Sequence, residues 1–324
     1  MSVLFYMSRD EDGWLNLARD SYFLSELKKD DILLYLYINK NAVIIGKSQN
    51  AWRECNIEAM QRDSVQLVRR HTGGGAVFHD ANNLNFSFIM SEENYNLERQ
   101  FGVICNMLKR FGLCPELSGR NDVIIDGKKI SGNAFAASKG MRAHHGTILV
   151  NTDLNRLAGY LNVSEKKMNA KGIKSVKSRV CNLCDFDETI TVDAVAKVLK
   201  EEFEKEYGMC SDLVVFGDAL AKIDELYEQQ SSWEWRLGRT PGFDYAVEER
   251  FSFGEMQILF DVKNGYIEKA SVFSDALDTE LCSIVRKAVT GVRFEPKNIA
   301  DAVMSECDRT EIKELSDYLR KLTF

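Results

Sequence analysis

The sequence has few prolines and no long apolar run, and each shortage excludes a class of protein. Its 324 residues include only three prolines, so no proline-rich linker separates one part of the chain from another. The longest apolar stretches, such as residues 32–38, fall far short of the roughly 20 residues that a membrane-spanning helix needs. The N-terminus has no basic segment followed by an apolar one, so we expect no signal peptide. The predicted location is the cytoplasm, with no membrane partner.

Acidic residues outnumber basic residues in this sequence. Lys and Arg total 42 against 49 Asp and Glu, a net charge of −7, which argues against nucleic acid or an anionic membrane as a partner.

The eight cysteines are scattered, as is typical of reduced thiols. Cys181 and Cys184 form a Cys-x-x-Cys pair with no second pair and no following pair of histidines. A structural role is therefore favoured over zinc binding or redox chemistry.

Hairpins mixed with helices predict an α+β fold built on an antiparallel sheet. The length suggests two domains, and Pro241-Gly242 is the expected boundary, giving domains 1–240 and 241–324. Helices are predicted at 14–27, 96–111, 153–161, 191–207, 218–230, 279–290, 299–306 and 310–322. Strands are predicted at 31–37, 42–45, 64–69, 83–90, 122–125, 128–135, 147–150, 249–261 and 266–273, with turns at 39–41 and 126–127.

The most informative segment is the glycine-rich run Arg70-His71-Thr72-Gly73-Gly74-Gly75-Ala76-Val77-Phe78-His79. Adjacent glycines let the backbone approach a ligand closely, and their N–H groups can converge on an anion. Arg70 can add a planar positive group. The run lies between two predicted strands, so it is neither a dinucleotide fingerprint nor a P-loop. A glycine-rich connection without any ligand is about as probable on this evidence alone.

A second polar segment surrounds the predicted turn at 126–127. Lys128 and Lys129 are adjacent on a strand and so point to opposite sides. We expect Lys129 to share one face with Ser131 and Asn133, the small polar neighbours that suit a ligand site. Two solvated lysines beside a tight turn are the simpler alternative.

Two further segments carry charge or ring nitrogens. His144-His145-Gly146-Thr147 is expected to open the strand at 147–150. Residues 171–179 include Lys171, Lys174, Lys177 and Arg179, a positive stretch in an acidic protein. This stretch is either a solvated loop or a lid that responds to phosphate or to an acidic partner. In the second case, residues 166–182 should become protected from proteolysis when the ligand binds.

Taken together, these motifs resemble those of the lipoate–protein ligases. Arg-x-Thr-Gly-Gly-Gly-Ala-Val-Phe-His-Asp, Gly-Arg-Asn-Asp, Lys-Ile-Ser-Gly, His-His-Gly-Thr and Lys-Gly-Ile-x-Ser-Val-x-Ser-Arg-Val-x-Asn-Leu follow one another in the family's order. The resemblance extends from the N-terminus to about residue 240, and the remainder resembles the family's accessory domain. It implies the fold shared with biotin ligases and class II aminoacyl-tRNA synthetases.

The resemblance also implies a reaction. Such an enzyme joins lipoate to ATP, with Mg²⁺, and releases pyrophosphate while it holds lipoyl-AMP. It then transfers the lipoyl group to one lysine of an acceptor. The acceptors implied are the E2 lipoyl domains of 2-oxoacid dehydrogenases and the glycine-cleavage H protein. We expect this chain to be monomeric.

Site residues follow from the same resemblance. Lys129 is the implied catalytic residue, placed against the α-phosphate and the acyl oxygen. The implied ATP and lipoyl-AMP contacts are Arg70, Thr72, Gly73, Gly74, Gly75, Ala76, Val77, Phe78, Asn121, Asp122 and Lys129, with Asp122 also a candidate Mg²⁺ ligand. The implied lipoate pocket comprises His79, Asn83, Ser131, Gly132, His145 and Gly146.

One departure from the family's pattern and several rival functions remain. After His79-Asp80 the family usually has x-Gly-Asn, whereas this chain has Ala81-Asn82-Asn83; asparagine is the least costly substitute for a left-handed glycine.

The nearest rival is an ATP-independent octanoyl or lipoyl transferase of the same fold, which would need a reactive cysteine. A biotin ligase is disfavoured because its Gly-Arg-Gly-Arg run is missing. A non-catalytic lipoate-binding protein is the rival from another class.

Overall fold

The computed structural model describes residues 2–47, 49–73, 75–119, 121–161, 180–239, 243–274, 276, 278 and 280–323. The chain divides into two compact units, one of residues 1–47 and 63–232 and the other of residues 48–62 and 233–324. The boundary predicted at Pro241-Gly242 and most of the lid predicted at 166–182 lie outside the described residues. The assignment of 1–240 as catalytic and 241–324 as accessory therefore remains a prediction.

The helices and strands of the described residues follow one another in a mixed order. The helices are α1 (Gly13–Glu26), α2 (Ala51–Glu54), α3 (Ile57–Arg62), α4 (Leu97–Lys109), α5 (Arg156–Tyr160), α6 (Val192–Tyr207), α7 (Asp218–Ser231), α8 (Leu281–Val289), α9 (Pro296–Glu306) and α10 (Thr310–Lys321). The strands are β1 (Val3–Met7), β2 (Ile32–Tyr37), β3 (Ala42–Ile45), β4 (Gln66–Arg69), β5 (Val77–His79), β6 (Asn83–Ser91), β7 (Glu116–Ser118), β8 (Asp122–Ile125), β9 (Lys128–Ser138), β10 (Met141–Leu149), β11 (Ser211–Asp212), β12 (Phe243–Phe251), β13 (Gly254–Lys263) and β14 (Tyr266–Ser274). The predicted α+β class is confirmed.

An eight-stranded sheet forms the centre of the first unit. Its strands run in the order β11-β1-β2-β6-β10-β9-β8-β7. In this spatial order, each strand from β2 onward is antiparallel to the next, as far as β7 at the edge. Strand β1 pairs in parallel with both β2 and β11. The sheet is therefore mixed at one edge, and the expectation of an antiparallel sheet holds for the strands that surround the site described below.

Both faces of this sheet are covered, which explains the apolar run in β2. Leu34 and Leu36 belong to a core that includes residues of α4 and α6, whereas Leu33 and Tyr35 belong to a second core with residues of α1. All six residues of β2 are buried. A strand buried on both faces gains from apolar side chains at every position, so the two-residue alternation disappears.

A smaller three-stranded sheet carries the glycine-rich loop. Its order is β4-β3-β5, with β3 parallel to β4 and antiparallel to β5. The loop that follows β4 therefore returns along the far side of β3. The predicted strands at 31–37 and 42–45 are both present, but they belong to different sheets. The segment at 39–41 is thus a crossing between sheets instead of a hairpin turn.

The hairpin predicted at 122–135 is confirmed and includes an irregularity. Asp126 and Gly127 have φ values of 50° and 73°, as a type I′ turn requires. Ile124 then pairs with Lys129, but Val123 pairs with Ser131. Ile130 is thus the extra residue of a β-bulge, which alters the alternation of side chains on the strand that carries Lys129.

The second unit contains the antiparallel meander β12-β13-β14 and helices α8, α9 and α10. The single strand predicted at 249–261 is wrong: Phe251 pairs with Gly254, so the chain reverses between β12 and β13. The strand predicted at 147–150 is also too short, because β10 begins at Met141 and already contains both adjacent histidines. None of the described helices is long and apolar enough to cross a membrane.

Candidate active site

Arg70 holds the glycine-rich loop, residues 70–76, between β4 and β5. Its Nη2 donates to the carbonyl oxygens of Gly73 (2.7 Å) and Gly75 (2.8 Å), and its Nη1 donates to that of Ile44 (3.2 Å). Its Nε also donates to Gly73 at 3.1 Å. Burial lowers the pKa of the guanidinium to about 10. Because carbonyl groups occupy most of its N–H donors, Arg70 shapes the loop as well as placing positive charge beside it.

The loop glycines are not required by packing within the loop. A Cβ added at Gly73 or Gly75 would meet no atom within 4 Å, and neither residue has a positive φ. Small size at these positions is therefore useful for something that approaches from outside the chain. Gly74, the middle glycine, lies outside the described residues.

The loop forms one wall of a cavity of about 1160 Å³ in the first unit. This volume is large enough for a nucleotide and a medium-chain acid together. The sequence-predicted residues that line it are Arg70, Thr72, Gly73, Gly75, Ala76, Val77, Phe78, His79, Asn83, Asn121, Lys129, Gly132, His145 and Gly146. Fourteen candidates from four separate segments are thus brought to one place.

Lys129 reaches the cavity beside Gly132. Its Nζ lies 2.7 Å from Oδ1 of Asp122, and both side chains are about one third exposed (34% and 36%). A Cβ at Gly132 would lie only 2.7 Å from Nζ, so glycine at this position leaves room for the lysine. Asp122 does not line the cavity itself but holds the ammonium that does.

Ser131 has a different position from the one expected. Ser131 is fully buried and does not line the cavity. Its Oγ accepts a hydrogen bond from Nδ2 of Asn133 (3.2 Å). The expected common face is therefore wrong for Lys129: Ser131 and Asn133 share a face, but the bulge at Ile130 shifts the alternation by one residue and puts Lys129 on the side of Gly132.

Asn121 and Asn133 fasten the end of β8 to β9. Asn121 Nδ2 donates to the carbonyl oxygen of Asn133 (2.6 Å), and Asn133 Nδ2 donates to that of Asn121 (3.1 Å). Both residues line the cavity. The neighbouring Arg120 lies outside the described residues.

A polar chain that the sequence did not predict crosses the cavity wall. Ser87 Oγ donates to Oδ1 of Asp20 (2.5 Å), and Oδ2 of Asp20 lies 3.5 Å from Nδ1 of His145. His145 Nε2 is 2.9 Å from the Thr72 hydroxyl. Helix α1, the central sheet and the glycine-rich loop are thereby joined through side chains. Asp20 lies on a helix with helical apolar spacing, and nothing in its local sequence distinguishes it from a solvated residue.

The two adjacent histidines have separate environments because neighbours on a strand face opposite ways. His145 lines the cavity, whereas His144 is fully buried behind it. His144 Nε2 lies 2.8 Å from Oδ1 of Asn133, and its Nδ1 lies 3.0 Å from Oε1 of Gln100. Burial lowers the pKa of His144 to about 3. The sequence could have shown this difference. In a strand predicted to begin at Met141, the alternation of side chains would have placed His144 and His145 on opposite faces.

Apolar side chains also line this cavity. They come from α1, β3, β9 and α7 and include Leu17, Leu24, Ile44, Ala134, Ala136 and Leu226. A cavity lined by charged and backbone polar groups as well as by aliphatic side chains suits a ligand with an acidic head and an apolar tail. The sequence did not predict these residues, because each occupies an ordinary core position of a helix or strand.

Cysteines and preformed groups of metal ligands do not mark this cavity among the described residues. No cysteine is among the described residues that line the cavity. Burial raises the pKa of Cys181 to about 11 and also raises that of Cys105 and Cys184, which keeps these thiols protonated and weakly nucleophilic. Within the described part of the chain, no three His, Cys, Asp or Glu side chains are grouped to hold a metal ion.

Comparison with known proteins decides the family. The model described as lipoyl protein ligase A/B catalytic domain matches residues 12–204, and that described as bacterial lipoate protein ligase C-terminus matches residues 240–319. Lipoate-protein ligase A of Psychrobacter cryohalolentis is 38% identical over 334 residues, which cover 98% of each chain. The chain belongs to the lipoate–protein ligase family. The family predicted from the motifs is thus confirmed, and the chain is an enzyme of the ligase class.

Solved structures of this family have the same fold. A P. falciparum protein in complex with lipoate is 29% identical, with a TM-score of 0.66, over 99% of this chain and 100% of its own. A bipartite ligase from Thermoplasma acidophilum, studied with its E2 lipoyl domain, is 30% identical (TM-score 0.67; 74% and 96% covered). A lipoate-protein ligase A bound with ATP is 28% identical (TM-score 0.62; 74% and 98% covered).

Proposed function

We propose that this lipoate–protein ligase binds ATP and lipoate in the cavity of the first unit, forms lipoyl-AMP, and transfers the lipoyl group to a lysine of an acceptor protein. The observation that carries the proposal is the single cavity that brings together the glycine-rich loop, Lys129 and an aliphatic wall. Relatives of similar fold bind lipoate or ATP, which supports both ligands.

The first half-reaction brings two anions together. An oxygen of the lipoate carboxylate attacks the α-phosphorus of ATP, the bond between the α-phosphorus and the bridging oxygen breaks, and pyrophosphate leaves. The ammonium of Lys129 would stabilise the charge that gathers on the α-phosphate oxygens. Arg70 would contribute its charge from behind the loop, and the backbone of residues 75–78 would contact the nucleotide.

In the second half-reaction the acceptor lysine attacks the acyl carbon as a free amine, after its ammonium has lost a proton. The acyl C–N bond forms as the bond between the acyl carbon and AMP breaks. Lys129 would then stabilise the negative charge that develops on the acyl oxygen. No covalent intermediate with the enzyme is needed, which agrees with a cavity whose described lining contains no cysteine.

Mg²⁺ enters as a partner of ATP. The described residues offer one carboxylate next to the catalytic lysine, Asp122, and no cluster of three ligands. This suits a magnesium ion held mainly by phosphate oxygens and water, since Mg²⁺ is commonly bound through one or two carboxylates together with substrate phosphates. Asp122 would be its protein ligand, and the ion would neutralise charge on the leaving pyrophosphate.

The acceptors we propose are E2 lipoyl domains and the glycine-cleavage H protein, with the enzyme acting as a monomer. The T. acidophilum relative, studied with its E2 lipoyl domain, supports the first. The test is the intact mass of an apo lipoyl domain incubated with enzyme, lipoate, ATP and Mg²⁺. We expect a mass gain of one lipoyl group that disappears without ATP. In a parallel reaction without ATP, an acylated carrier protein replaces lipoate as the donor. A mass gain in that reaction would instead favour the transferase.

A further inference from the structure

His79 has a buried ring nitrogen next to the cavity that has no hydrogen-bond partner among the described residues. The residue ends β5, lines the cavity and is only 5% exposed. Its Nδ1 lies 3.2 Å from Nδ2 of Asn39. No described residue is within hydrogen-bonding distance of its Nε2, which is buried. A buried N–H without an acceptor is costly, so such a group at a cavity points to a bound molecule that accepts from it.

Buried amides determine which ring nitrogen of His79 carries the proton. Tyr35 Oη donates to Oδ1 of Asn16 (3.1 Å), and Asn16 Nδ2 donates to Oδ1 of Asn39 (3.1 Å). Because the Asn39 oxygen is already an acceptor, its amide nitrogen faces His79 and donates to Nδ1. Nδ1 must then be the unprotonated nitrogen, which leaves the proton on Nε2. All three partners are 0% exposed, so water does not compete for these bonds.

The ring is also kept neutral. Burial and the nearby positive charge of Arg70 lower the pKa of His79 to about 3. A neutral imidazole has a single N–H, and the amides fix its position. The cavity therefore contains one donor whose direction and charge stay constant over the working pH range. Beside the charge of Arg70, an anionic acceptor is favoured, since hydrogen bonds to charged oxygens are the stronger ones.

We propose that His79 donates a hydrogen bond from Nε2 to an anionic oxygen of the bound substrate, and that Asn39 and Asn16 are positioning residues that fix the protonated nitrogen. The oxygen belongs either to the carboxylate of lipoate or to a phosphate of ATP. This inference rests on the proposed function, which supplies both substrates. The competing occupant is an ordered water molecule, which would satisfy Nε2 without any role in binding.

The test measures dissociation constants by titration calorimetry for lipoate and, separately, for a non-hydrolysable ATP analogue. His79→Leu removes the donor, His79→Gln retains an amide N–H, and Asn39→Asp replaces the donor to Nδ1 with an acceptor, which moves the ring proton away from Nε2. We expect His79→Leu and Asn39→Asp to weaken one of the two ligands about tenfold or more, with much of the affinity kept in His79→Gln. The ligand whose affinity falls identifies the oxygen.

Ser316→Ala is the matched control, because it removes a buried hydrogen bond to the carbonyl oxygen of Ala300 (2.9 Å) in the second unit. We expect both affinities to be unchanged in it. Ring nitrogen NMR of the substrate-free protein should show the proton on Nε2 in the wild type and on Nδ1 in Asn39→Asp. Wild-type affinities in folded His79→Leu, or a wild-type proton on Nδ1, would overturn the proposal. If the variants change binding as expected but the wild-type enzyme shows no lipoate-dependent turnover, the proposed function is contradicted and the role of His79 in binding is not.

Discussion

Replacing Lys129 with alanine removes the ammonium that lies 2.7 Å from Asp122 and faces the cavity. A single contact to the charge that develops in a transition state is worth about 3–4 kcal/mol, or 10²–10³ in rate. The substitution also leaves the Asp122 carboxylate without its partner beside an incoming phosphate. Two like charges about 4 Å apart repel by about 4 kcal/mol near a protein surface, and the partial exposure of Asp122 reduces this value.

The Lys129→Ala enzyme should therefore lose at least 10²-fold in both half-reactions. The assays are lipoate-dependent pyrophosphate exchange and single-turnover transfer from preformed lipoyl-AMP. Lys128→Ala is the matched control, since Lys128 is the adjacent, exposed lysine of the same strand, and its activity should stay within about twofold. Activity of Lys129→Ala close to that of the wild type would refute the reasoning.

Three other perturbations test separate parts of the account. Arg70→Lys should weaken binding of an ATP analogue about tenfold, because an ammonium cannot hold carbonyls of Ile44, Gly73 and Gly75 together; unchanged affinity in a titration would contradict this. Gly75→Ala should leave the urea midpoint unaltered but weaken nucleotide binding, whereas Gly146→Ala, whose Cβ would lie 2.6 Å from an Asn133 oxygen, should destabilise the fold by about 1–3 kcal/mol. A lowered midpoint in Gly75→Ala, or an unaltered one in Gly146→Ala, would count against this. Since the pKa of His79 and of His144 is lowered to about 3 in the fold, the unfolded chain binds up to two more protons below pH 6.5, and the free energy of unfolding should fall by about 2.4 kcal/mol between pH 6 and pH 5. A flat urea-denaturation series over that range would contradict it.

Structural features that depend on a short segment alone could be predicted from the local sequence. Asp126-Gly127 predicts a type I′ hairpin because few other pairs accept two positive φ angles, and the structure has that turn. Helix α1 was also predicted to within one residue at each end, from the helical spacing of apolar residues such as Leu15, Ala18 and Phe23. Most of the site residues that the family's motifs implied then lie in the wall of the cavity, although they make up less than half of its lining.

Features set by tertiary contacts were not predictable in this way. Strands β2 and β3 were both expected, but their separation into two sheets depends on partners that are distant in the sequence. The bulge at Ile130 arises where β8 and β9 pair, and it separates Lys129 from the face that Ser131 and Asn133 share. Asp20 and Asn39 are ordinary polar residues in the sequence. Their roles exist only because the fold brings them to His145 and His79.

The central claim is that this chain forms an acyl-adenylate from lipoate. The most direct test is ATP–pyrophosphate exchange by the purified wild-type protein with Mg²⁺ and lipoate, octanoate, biotin or no acid added. We predict exchange that depends on lipoate and is absent with biotin and without acid, because the cavity combines a catalytic lysine, a glycine-rich loop and an aliphatic wall. Folded protein that catalyses no exchange with any acid would contradict the account.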